Sequence, residues 1–251
     1  MKPKILINSL TSCGGCISSV IELEIFPDIF DSVKFVYFPL IEDAIDLDEC
    51  DFALIEGCIT RTDQINDIKI IRRNSKKVIC VGTCSIFGGI SSLAKEIPLT
   101  TVNQIIDIDG FIPGCPAPPE LLANSLMAIL NGEEIVLPEN NLCTECELRQ
   151  ENGLKTKTPI TKLLPDKPPK KCFLLENVLC LGPITRAGCK ARCLKSNIPC
   201  EGCMGTVSRE FTTNIINFLA SLDVSDDLRT YEGLYFRFSR PDIKQKRLNE
   251  T

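Results

Sequence analysis

The chain has 251 residues, with fifteen cysteines, no histidine and a net charge of −5. A chain this long can bury a full core, so its cysteines do not replace a core as they do in a short disulfide scaffold. The acidic balance with no basic stripe argues against nucleic acid as a partner, and no apolar run approaches the ~20 residues that cross a bilayer. MKPKILINSL carries neither a small-residue cleavage site nor a twin-arginine pair, which predicts a cytoplasmic protein whose thiols stay reduced. Without an imidazole, Ser–His and Cys–His catalytic pairs are impossible.

KILINSL (4–10) reads as a short apolar strand, and SSVIELEIFPDIF (18–30) as a helix whose length Pro27 limits. VKFVYFPL (33–40) and DFALIEG (51–57) are the next strands. TRTDQINDIKIIRRN (60–74) is a helix with Thr60 or Thr62 as N-cap and Ile65, Ile68 and Ile71 at helical spacing. KKVICVG (76–82) and IIDIDGFIP (105–113) are further strands. PELLANSLMAILNG (119–132) is a helix opened by proline and closed at Gly132. Strands alternating with helices predict an α/β fold, a flavodoxin-like doubly wound parallel sheet over residues 1–136.

Residues 137–251 predict a different, irregular cysteine-rich domain. Residues 137–171 are polar and proline-rich and read as a loop, with LLPDKPPKK as a solvated connector. Residues 172–205 hold six cysteines among glycines and prolines, with too little apolar pattern to fold by packing alone, so metal coordination is expected to hold them. Residues 206–222 read as one amphipathic helix, and the charged tail from about 223 is expected to order only against a partner.

The first-half cysteines fall at one place on this topology. Cys13 and Cys16 follow the first strand, Cys84 follows the 76–82 strand, and Cys115 follows the 105–113 strand. All lie past the carboxyl ends of parallel strands, where open α/β sheets bind ligands. Gly14, Gly15, Gly82 and Gly114 let the backbone turn closely around a bulky group. Four converging thiolates suit a cubane iron–sulfur cluster or zinc. Cys80 reads as strand core and Cys50 as a solvent-edge or packing residue, while Cys58 falls at the ligand edge, with approach to or replacement of a ligand as its alternative role. Glu56 reads as a solvated turn residue, with proton relay as the alternative. Arg186 reads either as a donor to a cluster sulfur or partner, or as a surface arginine. GTCSIFGG lacks both the Walker and the GxGxxG patterns, so nucleotide binding is not expected here.

The second half adds Cys143, Cys146, Cys172, Cys180, Cys189, Cys193, Cys200 and Cys203, which makes three possible tetrathiolate sites in all. Their irregular spacing departs from paired zinc knuckles and from the two-cluster ferredoxin run.

LTSCGGC, VGTCSIFGG, IPGCP and CLGPITRAGCKARC…PCEGCMG together resemble the small, electron-transfer subunit of [NiFe] hydrogenases. The likeness covers about residues 4–205, and LNGEEIVLPENNLCTEC is most similar to the F420-non-reducing, viologen-reducing type of the cytoplasmic enzymes. The resemblance implies three [4Fe–4S] clusters. Cys13, Cys16, Cys84 and Cys115 would hold the proximal one, Cys189, Cys193, Cys200 and Cys203 the medial one, and Cys143, Cys146, Cys172 and Cys180 the distal one. Cys143 stands where many periplasmic members have histidine. It further implies a large [NiFe] subunit that carries out H2 chemistry, and an electron-acceptor subunit containing flavin or iron–sulfur, of which a heterodisulfide-reductase-linked protein is one form. A cluster subunit of a complex-I-like oxidoreductase and a zinc-stapled interaction module are the alternatives.

Overall fold

The computed structural model describes residues 2–41, 47–94, 96–150, 159–207, 217–218 and 222–224. The chain divides into two compact units, one over Met1–Val136 and one over Leu137–Arg237.

The first unit is built on five strands: β1 (Lys4–Ser9), β2 (Lys34–Tyr37), β3 (Cys50–Glu56), β4 (Ser75–Val81) and β5 (Gly110–Ile112). They form one sheet in the order β2-β1-β3-β4-β5, and every neighbouring pair is parallel. This is the flavodoxin-like order, whose ligand edge lies at the switch between β1 and β3. The central strands are covered on both faces, which explains their near-continuous apolar runs. Ile7, Leu54, Ile55, Val78, Ile79 and Val81 are all buried.

The helices of this unit are α1 (Gly15–Ile21), α2 (Phe26–Ser32), α3 (Thr62–Asn74), α4 (Thr83–Phe87) and α5 (Pro119–Leu130). Helix α3 turns Ile65, Ile68 and Ile71 inward, as their spacing predicts. Its start is closed by Gln64, whose Oε1 accepts from the backbone N–H groups of Thr60 and Arg61 at 2.9 and 3.2 Å. The cap position is therefore Arg61 and not either flanking threonine.

Two elements differ from the sequence expectation. The helix predicted over 18–30 is two helices, and Pro27 opens the second of them instead of ending one. A proline in the first turn leaves no hydrogen bond unmade, because that N–H has no intrahelical partner in any case. The strand predicted over 105–113 shrinks to Gly110–Ile112. Asp109 explains where it begins: its Oδ2 accepts the Val78 N–H at 2.7 Å and pairs with Arg72 at 2.5 Å. A side-chain oxygen thus takes a donor of β4 that a longer β5 would have met with backbone.

The second unit has no long regular element among its described residues. It is made of 3-10 turns and a four-residue helix, α6 (Arg192–Lys195). It nevertheless has an apolar core, in which Leu142, Ile160, Phe173, Leu174, Val178 and Leu181 are almost fully buried. These apolar residues follow no periodicity, because turns and not helices carry them inward. Residues 163–171 are largely exposed, as a connector should be. The helix expected over 206–222 and the tail beyond 224 lie, except for isolated positions, outside the described residues.

Ile55 is fully enclosed at the centre of the sheet. Replacing it with alanine is expected to lower the unfolding free energy by about 2–5 kcal/mol, the usual cost of such a truncation, measured by urea unfolding of the apo chain.

Candidate metal centres

The carboxyl edge of the sheet gathers the first set of sulfurs. Cys13 lies in the turn after β1, Cys16 in the first turn of α1, Cys84 in the first turn of α4 and Cys115 in the loop before α5. Cys16 is buried, while Cys13 and Cys115 are exposed, so the group opens outward. The four are near enough to sense one another: burial pushes the Cys16 and Cys84 thiols up to about 12, and the charges of Cys13 and Cys115 add to both.

Two glycines make the space. Gly82 has φ +82°, and a Cβ there would overlap Cys16 Sγ. Gly89 has φ +57°, and a Cβ would stand 2.6 Å from Cys84 Sγ. Both positions combine a positive φ with a sulfur in the place a side chain would fill.

Glu56, the last residue of β3, is buried and not a solvated turn residue. Its carboxylate accepts the N–H groups of Cys16 and Ile17 at 3.1 and 3.3 Å and the Ser9 hydroxyl at 3.3 Å. Burial raises its pKa and these donors pull against that rise. The residue fastens the start of α1, and with it Cys16, to the central strand.

In the second unit Cys143, Cys146, Cys172 and Cys180 line one cavity of about 270 Å³, with Leu142, Phe173 and Gly182 in its wall. A Cβ on Gly182 would stand 3.5 Å from the sulfurs of both Cys143 and Cys180. Burial pushes Cys180 up to about 12 and Cys143 to about 11, with Cys172 adding to each. The last four cysteines fall into two pairs that sense each other, Cys189 with Cys193 and Cys200 with Cys203. The Cys200 N–H donates to Cys180 Sγ at 3.4 Å, so this last group abuts the cavity set.

Backbone donors aimed at sulfur recur at these positions. Cys16 receives one from Ala117, Cys172 from Leu174 and Leu175, Cys180 from Gly182 and Cys200, Cys189 from Ala191 and Arg192, and Cys200 from Gly202. Such bonds favour thiolate over thiol and are the kind that set cluster potentials. Among the described residues no three Cys, Asp or Glu side chains close tightly enough to hold a single metal ion. One tetrahedral zinc at 2.3 Å would need its sulfurs within about 4 Å of each other. A four-iron cluster, with one thiolate on each iron, spreads them further apart. The hollow at Cys143, Cys146, Cys172 and Cys180, the positive-φ glycines beside Cys16 and Cys84 and the donors to sulfur fit the larger group.

The remaining cysteines are engaged elsewhere. Cys80 is enclosed in β4, and Cys50 is buried against the Ser75 hydroxyl at 3.2 Å, at the opposite end of the sheet. Cys58 is buried, donates to the Thr11 carbonyl at 3.5 Å and adds to the pKa rise at Cys84, so it lies beside the first set. Arg186 is partly buried and is not a surface arginine. It is a backbone clamp, donating to the carbonyls of Pro138 at 2.5 Å and Thr206 at 2.7 Å.

Comparison with known proteins accords with this geometry. Residues 13–129 match the family model of the NADH ubiquinone oxidoreductase 20 kD subunit, a span that contains the whole first set and none of the last eight cysteines. A Vhu subunit of the F420-non-reducing hydrogenase of Methanococcus voltae is 31% identical, over 96% of each chain. The chain belongs to the small-subunit family of the F420-non-reducing hydrogenases. The iron-sulfur subunit of the F420-non-reducing hydrogenase of Archaeoglobus profundus is 25% identical, over 91% of this chain and 93% of its own. The fold is also that of a chain in the actinobacterial-type NiFe-hydrogenase of Ralstonia eutropha H16, with a TM-score of 0.65 and 14% identity, over 90% of this chain and 83% of that one.

In this hydrogenase small subunit, the donors to sulfur and the seat of Glu56 are the features sequence reasoning did not find. The donors come from whatever residue the turn places there, so no residue type marks them. Glu56 did carry a signal: an acidic residue ending an otherwise apolar strand at the ligand edge.

Replacing Gly82 with alanine puts a methyl group onto Cys16 Sγ at a position of positive φ. The variant is expected to lose roughly 1–3 kcal/mol of stability, as overpacked sites do, read from thermal unfolding of the apo chain, whereas Gly132→Ala, where a Cβ meets nothing within 4 Å, carries only the backbone strain.

Proposed function

We propose that this hydrogenase subunit is the non-catalytic electron carrier of a cytoplasmic [NiFe] hydrogenase, holding three [4Fe–4S] clusters. Cys13, Cys16, Cys84 and Cys115 hold the proximal cluster. Cys189, Cys193, Cys200 and Cys203 hold the medial one, and Cys143, Cys146, Cys172 and Cys180 the distal one. The observation that carries this reading is the hollow lined by Cys143, Cys146, Cys172 and Cys180, which come from two separate stretches of the chain yet line one space. The F420-non-reducing hydrogenase relatives, one of them named as an iron–sulfur subunit, support the same reading.

When bound, the clusters take up and release electrons one at a time. The chain's own part is to hold and tune them. Thiols must lose their protons to bind iron; burial opposes that at Cys172, Cys180 and Cys189, and the backbone N–H groups there favour the charged state. Glu56 holds the Cys16 turn against β3. The exposed sulfurs of Cys13 and Cys115 leave the proximal site open to a neighbour, which on this reading is the large subunit that carries the nickel–iron site. A further subunit, flavin- or iron–sulfur-containing and linked in one form to heterodisulfide reductase, accepts the electrons. No described helix is long and apolar enough to cross a membrane.

The anaerobically purified chain is expected to contain about twelve irons and to show broad visible absorbance that bleaches with dithionite. About four irons would instead indicate a one-cluster, complex-I-like subunit, and a colourless zinc protein would overturn both readings. In the same assay Cys172→Ala is expected to lose iron from the second unit, between one and about four atoms per chain, while Cys80→Ala keeps the wild-type content.

A further inference from the structure

Glu145 lies between Cys143 and Cys146, at the end of the 3-10 turn Leu142–Glu145. Its Oε1 accepts the Gly188 N–H at 2.8 Å, immediately before Cys189. Its Oε2 is buried with no hydrogen-bond partner among the described residues. A buried carboxylate oxygen left unpaired is costly, and such groups call for an explanation in structure or function. The hydrogen bond to Gly188 explains only one of the two oxygens.

The surroundings give a reason for the other. The two stretches that Glu145 joins already run side by side without it: Leu142 N–H donates to Thr185 O at 2.7 Å, and Ala187 N–H to Asn140 O at 2.9 Å. In the same unit the Cys200 N–H reaches Cys180 Sγ at 3.4 Å, so sulfurs assigned to two different clusters meet there. The carboxylate thus stands where the Cys143-x-x-Cys146 turn meets the Cys189 loop, while the backbone ladder bears the structural load.

We infer that Glu145 is a positioning residue for electron transfer: it locks the Cys189 loop onto the Cys143-x-x-Cys146 turn and sets a negative charge beside both groups of sulfurs, lowering the potentials of the medial and distal clusters. The inference rests on the cluster assignment proposed above. A negative charge near a cluster disfavours adding an electron to it, and the effect is strongest where water is excluded.

The test is a redox titration of the purified hydrogenase complex, followed by electron paramagnetic resonance, in the wild type and in Glu145→Gln and Glu145→Ala. Glutamine keeps an oxygen for the Gly188 N–H and removes the charge. It is expected to retain the wild-type iron content, raise the midpoint potentials of both clusters and leave their magnetic interaction unchanged. Alanine removes the acceptor as well, and is expected to raise the potentials and also change the magnetic interaction. Unaltered potentials in an iron-replete Glu145→Gln complex would overturn this inference alone, even if the alanine variant loses iron. A wild-type complex without signals from these two clusters would overturn the underlying assignment together with it.

Discussion

The structure depends on sulfur withdrawn from water and given backbone donors in its place. A buried thiol resists ionisation, which is why Cys16, Cys84 and Cys180 rise to about 12. Burial alone would make each of them a small apolar side chain; Cys80 in β4 is buried as well, and the donor it meets is the Ser85 side chain. What separates many of the candidate ligands from Cys80 is direction: N–H groups of turns and helix starts point at them. Burial and donors act in opposite senses on the proton, and a metal with positive charge resolves the conflict in favour of the thiolate.

That constraint shapes the two units in different ways. In the first, a parallel sheet does the gathering. Strands β1, β4 and β5 all end at one edge, so three separate turns deliver Cys13 and Cys16, Cys84 and Cys115 to one place. The main core cluster of the sheet, rich in isoleucine, includes none of these four sulfurs. In the second unit the apolar core and the sulfur-lined cavity share residues: Leu142, Phe173, Leu174 and Cys180 belong to both. There the fold and the proposed cluster site are one construction, held by short turns in which glycine and proline let the chain reverse around a hollow.

How far each part could be read from sequence follows from the same difference. Alternation of strands and helices is a long-range pattern, and it marked the flavodoxin-like sheet, the inward isoleucines of α3 and the edge at which the first sulfurs collect. It failed at Asp109, where one side chain takes a β4 donor and β5 begins late, and at Pro27, which opens a helix instead of closing one. In the second unit periodicity had nothing to report, because its buried residues follow turns with no fixed repeat. Grouping the last eight cysteines rests on family likeness; Cys143, Cys146, Cys172 and Cys180 line one cavity. Arg186 could be noticed in sequence, but its partners are the carbonyls of Pro138 and Thr206, which no residue type announces.

Two carboxylates remain that the core does not require. Glu56 and Glu145 are each held by backbone N–H groups next to a candidate ligand, Glu56 at Cys16 and Glu145 at the residue before Cys189. Their partners differ in number. Glu56 is bound by three donors shared over both oxygens, so its negative charge is largely offset where it sits. Glu145 has one donor on one oxygen and none on the other, so its charge is felt by the groups around it. The first arrangement suits an anchor that fixes a ligand in place, and the second suits a fixed charge that tunes its neighbours. A subunit that carries electrons through clusters, as proposed, needs both, since the placing of the ligands and the potential they set together determine how readily an electron passes.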